Sequence, residues 1–224
     1  MALRQTIFGL LTKVRAKIPK IGSAAIWSSQ SAYLLAVVLL LGCDGASSQP
    51  PEDDDLFVLP EFILTERDGT SFGSQDLKGR VWVASFVFTR CAGPCTRVSG
   101  TMAHLQHELQ SEPDAKLVSF TVDPEYDQPK VLSAYAQRFG AQPGRWYFLT
   151  GKSEQTYGLI RDGFHLTAQP NQGADRTSGN EILHDTRLAV VDKRGHVRAY
   201  FDSKDPDVAA AVCTKIQKLL AENR

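Results

Sequence analysis

Cys91 and Cys95 stand four residues apart, directly after the apolar run Val81 to Phe88. In a helix an i,i+4 spacing puts two side chains on one face, so the pair reads as two thiols delivered by a buried strand to the start of a helix. Thiols in that position feel the positive end of the helix dipole, which favours the thiolate. Two chemistries are open to them. The sulfurs can trade electrons as a disulfide, or they can hold a soft metal ion if a third donor arrives from elsewhere in the chain. The bland reading, two unreactive core cysteines, fits poorly with Gly93 and Pro94 between them at a strand-to-helix turn.

The elements that must position these thiols follow from hydrophobic periodicity. Phe62 to Glu66 and Thr70 to Phe72 flank Arg67-Asp68-Gly69 and read as a hairpin, and Val81 to Phe88 is rich enough in Val, Phe and Trp to be a central strand covered on both faces. Val98, Met102, Leu105 and Leu109 recur at helical spacing. Leu117 to Val122 is the next strand, Val131 to Phe139 a helix, Trp146 to Leu149 a short strand, and residues 153–162 a further helix. A polar run, Thr167 to Glu181, carries no element. Leu188 to Val191 and Val197 to Phe201 close a hairpin around Lys193-Arg194-Gly195, and Asp205-Pro206 caps a last helix with the stripe Val208, Val212, Ile216, Leu219 and Leu220. This order predicts a thioredoxin-like α/β fold: a central mixed sheet with helices on both faces and an N-terminal β-hairpin. Ligands of open α/β sheets lie beyond the carboxyl ends of strands, which is where Cys91 and Cys95 fall.

The 224 residues suffice for one well-filled domain. Arg4, Lys13, Arg15, Lys17 and Lys20 all precede the first acidic residue, Asp44, and without them the chain holds 20 basic against 25 acidic residues. A mildly acidic domain argues against nucleic acid as a partner. The basic start leads into the apolar stretch Ala32 to Leu41 and then Gly42 and Cys43, the order of an export signal. Leu40-Leu41-Gly42-Cys43 resembles a bacterial lipobox, in which the cysteine is lipidated and becomes the mature N-terminus. The competing reading is an uncleaved membrane anchor from Ala24 to Gly42, which Ser28, Ser29, Gln30 and Ser31 interrupt. Both readings tether the protein to a membrane in the bacterial cell envelope, with the domain outside the cytoplasm. Residues 1–43 are thus the signal, 44–55 a polar acidic linker and 56–224 the domain.

Three stretches carry a family resemblance: Phe88-Thr89-Arg90-Cys91-Ala92-Gly93-Pro94-Cys95, then Ser119 to Pro129 with Asp123-Pro124 and Asp127, and finally His184 shortly before Leu188 to Val191. Together they resemble the Sco (SenC) family of copper chaperones, over about Leu56 to Leu220. The resemblance implies one copper ion held by the thiols of Cys91 and Cys95 and the imidazole of His184. It also implies delivery of that copper to the dinuclear copper centre of cytochrome c oxidase, or reduction of that centre's cysteines before metal arrives. A copper donor protein, the copper-accepting oxidase subunit and a thioredoxin-like reductant are the partners implied.

A two-sulfur, one-nitrogen set suits Cu(I) through its thiolates and tolerates Cu(II) through its imidazole. Disulfide formation between Cys91 and Cys95 removes both sulfur donors, so copper loading is expected to follow redox state. His165 is the second choice as ligand, whereas His104 and His107 read as a solvated helix face and His196 as alternating outward with Arg198 and Tyr200. Asp123 is expected at the same sheet edge, assisting the ligands or influencing cysteine ionisation. Asp127 reads as a turn residue and Cys213 as a packing residue of the last helix. Ala92 and Thr96 replace prolines common in the family, which puts local helix geometry and thiol acidity in question.

The leading reading is a binding and delivery protein, not a turnover enzyme. The alternative is a thiol-disulfide oxidoreductase that uses Cys91 and Cys95 without metal, although its usual signature has one residue fewer between the cysteines. A peroxidase reading ranks last, because no proline precedes Thr89 and Cys91.

Overall fold

The computed structural model describes residues 55–91, 93–173, 177–179 and 181–222. The export signal, Cys43 and the linker up to residue 54 lie outside the described residues, and among those described no helix is long and apolar enough to cross a membrane. The strands are β1 (Phe57–Val58), β2 (Ile63–Glu66), β3 (Ser71–Gly73), β4 (Val81–Val87), β5 (Ala115–Thr121), β6 (Trp146–Thr150), β7 (Ala168–Pro170), β8 (Ile182–His184), β9 (Leu188–Val191) and β10 (His196–Phe201). The helices are α1 (Pro94–Glu108), α2 (Pro129–Arg138), α3 (Ser153–Gly158, running into a π-turn over Leu159–Gly163) and α4 (Val208–Ala221).

Eight strands form one mixed sheet in the order β1-β10-β9-β4-β5-β6-β2-β3. β4, β5 and β6 are parallel, and β9 runs antiparallel to β4. Every residue of β4 is buried, as an apolar run rich in Val, Phe and Trp requires when helices cover both faces of its sheet. The connections through α1 and α2 step the same way across the sheet, which puts both helices on one face. A buried hydrogen bond of 2.9 Å between Ser99 of α1 and Tyr135 of α2 joins them there, and α4 packs beside α1. Side chains alternate along the strands, so Ser85, Ser119 and Trp146 face these helices, linked by hydrogen bonds of 2.8 and 2.9 Å. Trp82, Phe86 and Phe120 face the other way, into an aromatic cluster with Phe164, which follows the π-turn, and with Phe62.

The fold is thus the expected α/β arrangement, with the hairpin β2–β3 in place, and the last helix buries all five residues of its predicted stripe. Four local expectations are corrected. The polar run after Thr167 contains β7, which pairs with β8 as a separate two-stranded ribbon. β1, absent from the sequence reading, pairs with β10 at the sheet edge. Asp207 takes the N-cap position of the last helix without a side-chain capping bond, and the Asp205 carboxylate two residues earlier accepts the Asp207 N–H at 2.9 Å. Arg198 does not alternate outward with His196: the register shifts between Val197 and Ala199, and the guanidinium turns inward to Asp55, Asp192 and Glu222.

Candidate metal centre

β4 ends at Val87, and the chain turns through Phe88, Thr89 and Arg90, with the Cys91 N–H donating to the Phe88 carbonyl at 3.2 Å. α1 begins at Pro94, not at Cys91. Proline lacks the N–H that an interior position needs and disfavours helical backbone in the residue before it, so it sets the first helical position. The expectation that both sulfurs lie along one helical face is therefore corrected. Cys95 sits in the first turn of α1 and is buried, whereas Cys91 lies in the preceding turn and is partly exposed.

That difference makes the thiols chemically unequal. The neighbouring Cys95 thiol donates toward Cys91 and pulls its pKa down to about 6, assisted by backbone N–H groups at Gly93 and Cys95 and opposed by partial burial. The same interaction, together with deeper burial, pushes Cys95 far up. At neutral pH Cys91 carries the thiolate and Cys95 the proton.

His184, the last residue of β8, points its Nε2 at the Cys95 sulfur, 3.5 Å away. Its Nδ1 lies 3.3 Å from the Ile182 carbonyl, which only accepts, so Nδ1 carries the proton and Nε2 keeps a lone pair toward the thiols. Burial lowers the His184 pKa and keeps the ring neutral. The ring also meets Phe88 edge-on at 5.3 Å. Two sulfurs and a neutral imidazole nitrogen form a donor set that fits a soft or borderline ion. The three donors do not all lie within 4.8 Å of one another, so a shared ion requires them to draw closer.

Asp123 follows β5 at the same sheet edge, but its carboxylate is taken by Arg90, whose Nε and Nη2 donate at 3.2 and 2.5 Å. Asp127 takes part in a turn, its N–H donating to the Asp123 carbonyl at 2.8 Å, and does more. Its fully buried carboxylate accepts the Thr89 N–H at 3.0 Å, the Thr89 hydroxyl, and the Thr121 hydroxyl at 2.6 Å. It pins the cysteine turn to the end of β5, and burial raises its pKa despite those donors. Sequence reasoning missed this role, and it missed Arg90 and Glu181 as well; two threonines at strand ends facing one acid were the available signal.

The other histidines stand apart. His165 meets Phe57 edge-on at a centroid distance of 4.3 Å, while His104 and His107 are exposed on α1 beside Glu108. His196 joins Asp55 and Asp192 in the one further set of clustered metal-type donors among the described residues. Arg194 and Arg198 pair with both of those carboxylates, so the charge there is already balanced. Cys213 packs partly buried against the core, and burial raises its pKa.

A family model described as SCO1/SenC matches residues 51–221. A putative copper-binding protein of Stutzerimonas stutzeri is 30% identical over 148 residues, covering 63% of this chain and 69% of its own length. The crystal structure of a SCO1/SenC family lipoprotein from Bacillus anthracis matches with a TM-score of 0.67 and 31% identity, over 73% of this chain and 95% of that one. BsSco, a member of the Sco family of cytochrome c oxidase assembly proteins in which a disulfide switch is identified, matches with a TM-score of 0.65 and 25% identity, over 75% of this chain and 95% of its own.

Proposed function

This chain belongs to the SCO1/SenC family, and from that premise we propose that it is a copper-binding protein of cytochrome c oxidase assembly. Copper is its cargo, held by Cys91, Cys95 and His184 and handed to the dinuclear copper centre of the oxidase. The observation that carries this reading is the His184 Nε2, left with its lone pair by the Nδ1–H bond to Ile182 and aimed at Cys95 from 3.5 Å. Loading releases the Cys95 proton and draws the donors together, Cys91 being already ionised at neutral pH. Three protein donors leave a position for an acceptor's ligand, which suits transfer more than storage. Tethering in the bacterial envelope through lipidated Cys43, with the domain outside the cytoplasm, places it beside such an acceptor. The copper-binding and lipoprotein character of the relatives supports both parts.

Titration of Cu(I) into the reduced protein tests the site. His184→Ala is expected to weaken binding at least about tenfold, the loss of one metal-ligand bond being worth well over 1.4 kcal/mol. The Cys91–Cys95 disulfide should still form in that variant. Equal affinity in wild type and variant would remove His184 from the site.

A second reading has its own observation. A partly exposed thiol near pKa 6 beside a buried, protonated one is the arrangement of an attacking and a resolving cysteine. The Cys91 thiolate attacks a partner's disulfide and expels one partner thiolate. Cys95 then gives up its proton and attacks the Cys91 sulfur, releasing the second partner thiol and leaving the Cys91–Cys95 disulfide. A thioredoxin-like reductant restores the dithiol. Copper handling and reduction of the oxidase's cysteines use the same pair, and a reduced protein that binds no copper would favour the second reading alone.

A further inference from the structure

The ribbon that carries His184 is not part of the main sheet; among the described residues β8 pairs with β7 and with no other strand. Its position over the thiols must come from side chains. Ile182 is buried in the core and the His184 ring meets Phe88, apolar contacts that direct the ribbon only loosely, and the polar contact of Nε2 with the Cys95 sulfur at 3.5 Å is made by the proposed ligand itself. Glu181, at the entry to β8, adds polar contacts. Its carboxylate lies 3.6 Å from the Arg90 guanidinium, and its backbone carbonyl accepts the Asn171 N–H at 2.8 Å across the ribbon.

Arg90 is itself held on two other sides. Two nitrogens of its fork donate to Asp123, and the plane lies over the Tyr126 ring at 4.3 Å. An arginine fixed by a forked carboxylate contact and a cation–π contact has little freedom left to lose, so its third contact is made at low entropic cost. It is also the residue next to Cys91. One guanidinium therefore connects the cysteine turn, the loop after β5 and the segment leading to His184.

We propose that Arg90 is a positioning residue for the copper site: locked to Asp123 and Tyr126, it grips Glu181 and so holds the His184 strand at ligand distance from Cys95. The proposal rests on the three-ligand reading given above. Arg90 and Glu181 touch no metal in it; they act through the placement of the imidazole, while the Glu181 charge by itself opposes the Cys91 thiolate.

Cu(I) affinity, measured by competition with a chromophoric Cu(I) chelator on the reduced full-length chain in detergent, tests it. The variants are Glu181→Gln, Arg90→Gln and their combination, each with His184 intact and with His184→Ala. A half-exposed ion pair of this kind is expected to change affinity about two- to fivefold. Glu181→Gln should weaken binding by that factor, and Arg90→Gln by at least as much. Adding Glu181→Gln to Arg90→Gln should cost nothing further, and Glu181→Gln should not weaken binding in the His184→Ala background, where removing its charge can only favour the Cys91 thiolate. A metal-free readout accompanies these: the His184 ring resonances of the reduced apoprotein should shift in Glu181→Gln while the thermal unfolding midpoint stays put. Wild-type affinity in Glu181→Gln, or an equal loss with and without His184, would overturn the positioning role and leave the three-ligand site standing. Wild-type affinity in His184→Ala alone would instead overturn the site.

Discussion

The Cys91 and Cys95 thiols differ because one lies in a turn and the other in a helix, and this inequality can be read by alkylation. The rate for Cys91 should rise with pH through about 6 and level off above it, while Cys95 stays unreactive through neutral pH. Because the principal cause is the hydrogen bond from Cys95, the variant Cys95→Ala should move the Cys91 profile upward toward the ordinary thiol value of 9.0. A profile that stays near 6 in that variant would assign the acidity to the backbone N–H groups instead. His184 illustrates what a single residue type can and cannot disclose. The proposal that it is the third ligand rests on the resemblance, because 89 residues separate it from Cys95 and no local spacing links them. Its tautomer, set by the Ile182 carbonyl, needs coordinates.

Among the elements, what the sequence discloses is what burial dictates. β4 was legible because both of its faces are covered and the run is apolar throughout, and α4 because its stripe recurs at helical spacing. The ribbon β7–β8 was not legible: its strands are three residues each, β7 holds a proline, and it pairs residues 12 or more positions apart, so propensity and period both pass over it. The start of α1 was misplaced by one turn because the spacing of the thiols was weighed and the helix-starting preference of Pro94 was not. Asp127 was also undervalued, and its role is testable at this scale because it joins the cysteine turn to the end of β5. Asp127→Ala leaves Thr89 and Thr121 without their buried acceptor and should cost about 1–3 kcal/mol in urea unfolding. The pH dependence has a definite sign. A carboxyl whose folded pKa is raised above the unfolded value contributes stability that is fully present below that unfolded value and is lost as pH rises through the folded one. Asp127→Asn, which does not titrate, should therefore gain on wild type as pH rises across that window. A flat difference would show that the carboxyl titrates alike in both states.

For the whole molecule, the sheet, its crossovers and the acidic balance of the domain were foreseeable, since they follow from element order and composition. The proposed tether is a separate matter, since it would depend on chemistry at Cys43 and not on packing. Export and a cysteine pair belong together. In an oxidising compartment the Cys91–Cys95 disulfide persists unless a reductant reaches it, and the copper-free, oxidised form is then the resting state. The proposed anchor would keep the domain within reach of both a membrane-bound reductant and a membrane-bound acceptor, replacing free diffusion by a high effective concentration. If Leu40-Leu41-Gly42-Cys43 is a working lipobox, the mature chain begins at Cys43 and incorporates a labelled fatty acid, and Cys43→Ala yields an unlabelled, uncleaved chain. Intact mass and label incorporation on the membrane fraction measure both. An unlabelled full-length wild type would identify the anchor as the uncleaved segment Ala24 to Gly42, and the domain would keep its place at the membrane by a helix.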